Sequence, residues 1–506
     1  MSYLSRALAV ADASPAVGLP AATQFELPEK VLQFGTGVLL RGLPDYFIHK
    51  ANNQGIFNGR VVVVKSTDGG DINAFTRQNG LYTLCIRGIE DGRQVKENVI
   101  SSAISRVLSA KSQWPEVLRF AASPDLQVVL SNTTEVGIQL VLEDIHQSPP
   151  QSFPGKLLAV LYARYQAFNG DKTKGLVIVP AELIPDNGAK LESILLELAH
   201  RNGLETEFLD WLETANHCCN SLVDRIVPGR PDMGAYNALT EELGYDDELL
   251  TMSEVYRLWA IEGDEHVRAV LSFSQADKGV IIQPDINEFR EMKLRLLNGT
   301  HTLSCGLAHL CGFETVRGAM DDEVFSSYIS QLLLGNLLSG IPYPVQEARA
   351  REFGRQVLDR FRNPFIEHRW LSITLNYTAK MQMRNVPTLL HYYQQRREVP
   401  QCMALGFAAY LLFMHGTHER DGTWYGELSG KQYPIQDEKA GYFAELWQKF
   451  SPADLTATVL RNQLLWNQDL NKLPGFAKQV AEYLQQMIEQ GPYATVAKHL
   501  NTQVPA

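Results

Sequence analysis

The chain has 506 residues, 45% hydrophobic and 20% charged, with a formal net charge of −11 at pH 7. That length predicts two large domains with ordinary globular cores. The acidic balance excludes nucleic acid and anionic membrane as main partners, since phosphate binding needs basic clusters, and no apolar run is long enough to span a bilayer. Met1 to Ala22 lacks the basic start and unbroken apolar core of a secretion signal. Cys85, Cys218, Cys219, Cys305, Cys311 and Cys402 show no metal-ligand spacing, which predicts free thiols in a cytoplasmic protein with no metal site.

Val31 to Phe34 predicts a short buried strand, followed by Gly35-Thr36-Gly37 and an amphipathic helix from Val38 to about Asn52, with Pro44 shortening or kinking it. Strand, glycine turn and helix open a dinucleotide-binding unit, with the pyrophosphate on the helix N-terminus. Leu40 stands where the fingerprint has its third glycine, so the motif alone is weak and a plain turn is the competing reading. Arg41 is placed to reach a phosphate or a carboxylate, or to lie solvated at the surface.

Val61 to Val64 is the second strand, and its end meets the adenosine ribose. Asp68 there suits NAD and Lys65 suits NADP, and the residues leave both open. Further strands are expected at 127–130, ending in Ser131-Asn132-Thr133, at 176–179, and at 279–282 as the last strand of the first half. Asp224-Arg225 inside an apolar stretch is expected in an ion pair or at a cleft edge.

From Glu288 helical periodicity takes over, at 288–312, 322–337, 344–361, 386–397, 400–415, 438–449, 453–465 and 474–490. The expected organisation is α/β: a Rossmann-type domain over 1–285 and a mostly α-helical domain over 286–506. The stretch 416–436, rich in Gly and polar residues, is expected to be an exposed loop.

Lys293, Asn298 and His301 open the second half. In an α-helix they fall within an arc of about 140°, at about 100° per residue. Asn298-Gly299 is also a turn signal, so the alternative is a break there with Thr300 as the new cap. Behind a dinucleotide domain the trio suggests hydride transfer: Lys293 as acid/base if burial lowers its pKa, Asn298 as donor to an alkoxide, His301 as orienter or hydroxyl partner. Taken singly, a solvated lysine, a helix-ending asparagine and an interior histidine are the better readings, and the constellation reverses that. Tyr46 and Lys50 form a Tyr-x-x-x-Lys pair on the first helix, where it is accidental.

The glycine turn with Arg41-Gly42, the run Gln78 to Leu84, Val223 to Ile226, and Lys293 to His301 resemble the long-chain polyol dehydrogenases related to mannitol dehydrogenase, over roughly 30 to 490. The resemblance implies a metal-independent enzyme in which Lys293 is the general acid/base and Asn298 part of an oxyanion hole. Val64 to Thr67, Ser131 to Gly137, Arg362 to His368 and Tyr433 to Asp437 resemble the branch that reduces a keto-hexuronate with NADH. Cofactor contacts are then expected at Gly35, Thr36, Gly37, Val38, Asp68 and Asn132, and substrate contacts at Asp224, Lys380 and Arg369, with Arg384 another candidate for the carboxylate. One departure is that the second oxyanion asparagine aligns with Leu183, beside Glu182.

The expected partner is a small sugar acid, and the expected state a monomer or small homo-oligomer. The rivals within the fold are fructuronate-specific and polyol-specific dehydrogenases. Outside it, an S-adenosylmethionine-dependent methyltransferase and a silent nucleotide-binding regulator both leave Lys293 without a role.

Overall fold

The computed structural model describes residues 2–11, 17–18, 20–66, 72–133 and 137–503. The first compact unit takes in the chain up to Ile286 apart from Ile89–Arg93; that short segment groups with the second unit, which begins at Asn287.

The first unit is built on six parallel strands, β1 (Glu29–Phe34), β2 (Arg60–Lys65), β3 (Ile104–Ser109), β4 (Val128–Ser131), β5 (Val177–Pro180) and β6 (His217–Cys218). Their order is β3-β2-β1-β4-β5-β6, the doubly wound arrangement whose direction reverses between β1 and β4. Both faces are covered. Val31, Val61 and Val63 pack with Phe47 on one side, while Leu32, Phe34, Val62 and Val64 pack with Trp114 and Leu157 on the other. Burial on both faces is why these strands appear as continuous apolar runs.

Two smaller sheets complete the unit. One orders Val17–Gly18, Arg93–Ser101, Tyr82–Glu90 and Thr251–Glu254. The other places Leu258–Glu262 between Ser221–Asp224 and Val280–Gln283, so the strand near 280 exists but lies outside the main sheet. Pro44 divides the first helix into Val38–Gly42 and Pro44–Asn53, with Leu43 non-helical between them. Lys50 pairs with buried Asp277 at 2.6 Å.

The second unit is helical, as its periodicity predicts, and the expectation of a loop over 416–436 is corrected. His418–Arg420, Thr423–Leu428 and Lys431–Ile435 form a three-stranded antiparallel sheet. Its turns are Asp421-Gly422 and Ser429-Gly430, all four residues at positive φ, which is the backbone a two-residue hairpin requires.

Helix 287–310 does not break at Asn298-Gly299, and Thr300 is not a cap. Residues Lys293–Asn298 instead form a π-helical turn, closed by the Gly299 amide donating to the Leu294 carbonyl five residues back. The chain continues without interruption as the α-helix Gly299–Leu310. Two further π turns occur among the described residues, Leu332–Leu337 and Met381–Asn385, the latter following the short helix Tyr377–Lys380.

Candidate active site

In the first unit the glycine turn lies where β1 meets its two neighbours. The Gly35 amide donates to the Val64 carbonyl at 3.1 Å, and the Asn132 amide donates to the Phe34 carbonyl at 3.3 Å. Gly35 holds φ +128°, and a Cβ there would lie 3.0 Å from Leu40 Cδ1 and 3.2 Å from the Asn132 carbonyl oxygen. Only glycine suits that conformation and that space. A Cβ at Gly37, by contrast, would meet nothing within 4 Å. The turn therefore presents open space over exposed backbone at the switch point of the sheet, and the donor set fits a dinucleotide pyrophosphate. Val38 opens the helix and packs against Gly229, where an added Cβ would lie 3.0 Å from Val38 Cγ1.

Arg41 is neither a phosphate ligand nor a surface residue. It is buried, donates from Nη1 to the Thr36 carbonyl at 2.7 Å, and reaches Thr251 Oγ1 through Nε and Nη2. It braces the turn from below. Beside it Asp45 is fully buried, and burial pushes its carboxyl up to about 7 against the opposing effects of Gln33 and Arg41. Asn132 Nδ2 donates to the Ala181 carbonyl at 2.7 Å, while Glu182 accepts from Ser131 Oγ and from the Thr133 amide and hydroxyl. These bonds tie the ends of β4 and β5 together. Leu183 is 63% exposed. Nearby Asn187 spends its amide on three carbonyls and cannot replace the missing donor.

In the second unit the π turn changes how the motif is displayed. An i to i+5 turn takes more residues per turn and so brings Lys293 and Asn298 nearer to one face, where an ideal α-helix would separate them by about 140°. Lys293 and Asn298 are both half-buried. Thr300 and Thr302 donate to the carbonyls of Leu296 and Asn298 at 2.6 and 2.8 Å, satisfying groups that a widened turn loosens. Arg295 is buried, pairs with Glu291 at 2.8 Å, and donates to the carbonyls of Met383 and Arg384 at 2.7 and 2.9 Å. Asn385 Nδ2 donates to the Gly299 carbonyl at 3.1 Å. These bonds fasten the two π turns to each other.

His301 stacks on Phe361, ring centroids 4.3 Å apart, and meets His368 and Trp370 edge-on at 5.0 and 5.9 Å. Its Nδ1 is buried and has no hydrogen-bond partner. Burial, then the charges of His368, Arg360, Arg384 and Lys380, hold the imidazole well below the usual histidine range, so it is neutral at pH 7. Lys380 Nζ donates to the Ile373 carbonyl at 2.9 Å, and burial lowers its pKa, with Arg384 adding to the effect.

The fold thus brings Lys293, Asn298, His301 and Lys380 onto the two packed π turns and the helices joined to them, and Gly35, Thr36, Gly37, Val38 and Asn132 onto one end of the sheet. Arg369 is not drawn into either group: its side chain is 66% exposed and pairs with Glu367 at 2.6 Å. Asp224 is buried on Ser221–Asp224 in the first unit. Its neighbour Arg225 donates to the carbonyls of Glu254 and Gly42 and lies 4.8 Å from the Tyr46 ring. Asp68 lies outside the described residues. Thr302, four residues after Asn298, also belongs to the group around Lys293, and the only sequence signal for it is a spacing that lets a hydroxyl bond back to a helix carbonyl.

A doubly wound sheet with an open glycine turn, followed by a helical unit carrying lysine and asparagine on a π turn and histidine on the α-helix that continues it, defines a dehydrogenase acting on CH–OH groups. The mannitol dehydrogenase Rossmann domain matches residues 29–274, and the mannitol dehydrogenase C-terminal domain matches residues 285–488. The chain belongs to the mannitol dehydrogenase family. Among its relatives, the altronate oxidoreductase of Bacillus subtilis (strain 168) is 39% identical over 472 residues, 92% of this chain and 94% of the relative. That of Halalkalibacterium halodurans is 40% identical over 486 residues, 94% of each. Two solved structures share the fold. Pseudomonas fluorescens mannitol 2-dehydrogenase, in a ternary complex with NAD and D-mannitol, superposes with TM-score 0.67 at 23% identity, covering 99% of this chain and 100% of its own. A substrate-free D-sorbitol dehydrogenase gives 0.76 at 19% identity, covering 98% and 100%. No helix among the described residues is long and apolar enough to cross a membrane.

Proposed function

We propose that the chain is an NAD-dependent oxidoreductase that interconverts a keto-hexuronate and its aldonate, with D-tagaturonate and NADH giving D-altronate. The observation that carries the reading is the π turn, which turns an amine and an amide donor toward one face, with a neutral imidazole on the helix that continues it. The shared length and identity with altronate oxidoreductases support the choice of substrate. NAD supplies the hydride exchange.

The chain's own residues do the rest. Gly35, Thr36, Gly37 and Val38 hold the pyrophosphate, Asn132 lines the same end of the sheet, and Asp68 takes the ribose hydroxyl, with NADP use tested against Lys65. Lys293 gives a proton to the ketone oxygen in reduction and takes one from the hydroxyl in oxidation. Asn298 donates its amide N–H to the oxygen as charge develops there. His301, neutral and with Nδ1 unpartnered, hydrogen-bonds a sugar hydroxyl. Asp224, Lys380 and Arg369 remain the proposed substrate contacts, of which Lys380 is the best placed. Leu183 leaves the oxyanion to Asn298 alone. The reading carries a cytoplasmic location and a monomer or small homo-oligomer.

The test is NADH and NADPH oxidation against tagaturonate, fructuronate, fructose and mannitol with NAD. A rate with tagaturonate and NADH that exceeds the others supports the proposal. Turnover of mannitol or fructose with none of tagaturonate overturns it.

A further inference from the structure

The acid-sugar reading leaves a question of discrimination. A uronate differs from a neutral sugar by one full charge, and a protein of net charge −11 must hold that charge with a few local cations. The Met381–Asn385 turn provides one.

Arg384 is held at both its backbone, where Thr388 Oγ1 also donates to its carbonyl at 3.1 Å, and its side chain. Its backbone carbonyl accepts from Arg295 Nη1 at 2.9 Å, and its own Nη1 donates to Thr302 Oγ1 at 3.1 Å. That hydroxyl in turn donates to the Asn298 carbonyl at 2.8 Å. One hydroxyl therefore links the guanidinium to the backbone of the residue proposed to hold the reacting oxygen. Arg384 Nε is buried and has no partner. Among the described residues neither Arg384 nor Lys380 has an acidic partner: Thr302 Oγ1 and the Ile373 carbonyl are their hydrogen-bond acceptors.

Leaving a cation partly desolvated without an anion is costly, and an arriving carboxylate relieves that cost. The charges acting on Arg384 and Lys380 point the same way, because no carboxylate is among them. Lysine is a point charge, whereas a guanidinium offers a planar fork that matches a carboxylate in two bonds.

We propose that Arg384, held on Thr302 and assisted by Lys380, seats the substrate carboxylate and is the residue that makes the site prefer acid sugars to neutral polyols. This rests on the function proposed above. The tether fixes where the carboxylate lies relative to Asn298, so chain length is read along with charge. The surplus donors of the guanidinium are satisfied when the acid binds. A neutral polyol leaves them unpaired, and that raises discrimination in the way any buried unpaired donor does.

The experiment compares the full-length enzyme with Arg384→Met and Arg384→Lys, using altronate and NAD against altritol, which carries CH2OH in place of the carboxylate. Expected in R384M is a KM for altronate raised by about 10- to 100-fold, the range set by a lost charged hydrogen bond, with kcat changed less. R384K recovers part of the loss. The NADH dissociation constant stays at the wild-type value, which separates a binding defect from misfolding. For the wild type alone, the KM for altronate rises with ionic strength while inhibition by altritol stays flat. A KM for altronate unchanged in R384M overturns the assignment, as does a flat salt response in the wild type. If the wild-type enzyme turns over altronate and Arg384 proves indifferent, the inference fails and the function stands. If the wild type turns over no acid sugar at all, the function fails and the inference falls with it.

Discussion

The glycine turn and the paired π turns solve the same problem, presenting polar groups to a ligand, by opposite means. Around Gly35 the work is done by backbone. Side chains such as Arg41, Asn132 and Glu182 are spent inward, bonded to the chain's own carbonyls, amides and hydroxyls. Around Lys293 the backbone is spent instead. Carbonyls of the Lys293 turn accept from Thr300 and Thr302, those of the Met381–Asn385 turn accept from Arg295, and other side chains keep spare capacity: Nδ1 of His301 and Nε of Arg384 have no partner. A cofactor shared by many enzymes suits a rigid backbone mould, and a particular substrate suits side chains that can vary.

The largest test of this contrast is Lys293→Ala. Removing the proposed acid/base should lower kcat by about 10²- to 10⁴-fold and leave NADH affinity, which depends on the glycine turn, unchanged. Steady-state turnover with a fluorescence titration of NADH checks both. Wild-type turnover would remove the amine from the chemistry.

Gly35→Ala attacks the other region. Alanine must adopt φ +128° and press on Leu40 and on the Asn132 carbonyl. Strain of this kind costs about 1–3 kcal/mol, so the melting temperature should fall and NADH affinity should weaken by about 10-fold or more. An unperturbed NADH titration would show that the turn has no part in holding the cofactor.

How much of this was legible follows from the same contrast. β1, β2, β4 and β5 announce themselves because strands buried on both faces leave apolar runs, as in Val61 to Val64. The edge strand β3 and the long pair Tyr82–Glu90 and Arg93–Ser101 carry mixed patterns, with exposed polar residues such as Arg93, Gln94 and Glu97, and escaped notice. The small sheet 418–435 was hidden by its composition, although Asp421-Gly422 and Ser429-Gly430 are hairpin turns flanked by β-formers. In the second unit the residues of the trio were visible and their display was not. A π turn leaves no signature in periodicity, so helical counting predicted an arc or a break where the chain widens instead. The roles of Arg41 and Thr302 depend on long-range partners and on back-bonding, which one sequence does not show.

A third prediction uses pH. Asp45 lies beneath the glycine turn with its carboxyl raised from 3.8 to about 7 by burial. Between those values the folded protein keeps a proton that the unfolded chain has lost. The stability due to the neutral acid is therefore full below about pH 4, falls as pH rises toward 7 by at most about 1.4 kcal/mol per unit, and is gone above. Asp45→Asn should flatten that fall and melt at or above the wild-type temperature at pH 8. Denaturant melts from pH 4 to 8 decide it; a wild-type stability that climbs across that range by the same amount as the variant's would place the carboxylate in its charged form.

The smallest expected effect is the most discriminating. Gly299 sits at helical φ −64°, so alanine there gains helix propensity of about 1 kcal/mol. The new Cβ would lie 3.1 Å from Asn385 Nδ2, the atom that bonds the Gly299 carbonyl. Asn385 is fully buried and its amide holds the Gly299 carbonyl, so keeping that bond eases the contact by moving one π turn a few tenths of an ångström from the other. Gain and cost nearly cancel in stability, and the net change should stay within about 0.5 kcal/mol. Catalysis has no such compensation. Misplacement of 1 Å can cost about 10²-fold, so a shift of a few tenths should lower kcat by about 2- to 5-fold at constant melting temperature. Loss of stability without loss of rate would mean that the seam between the turns holds the fold together and does not tune the site. Loss of rate without loss of stability is what two turns fastened to place side chains should give.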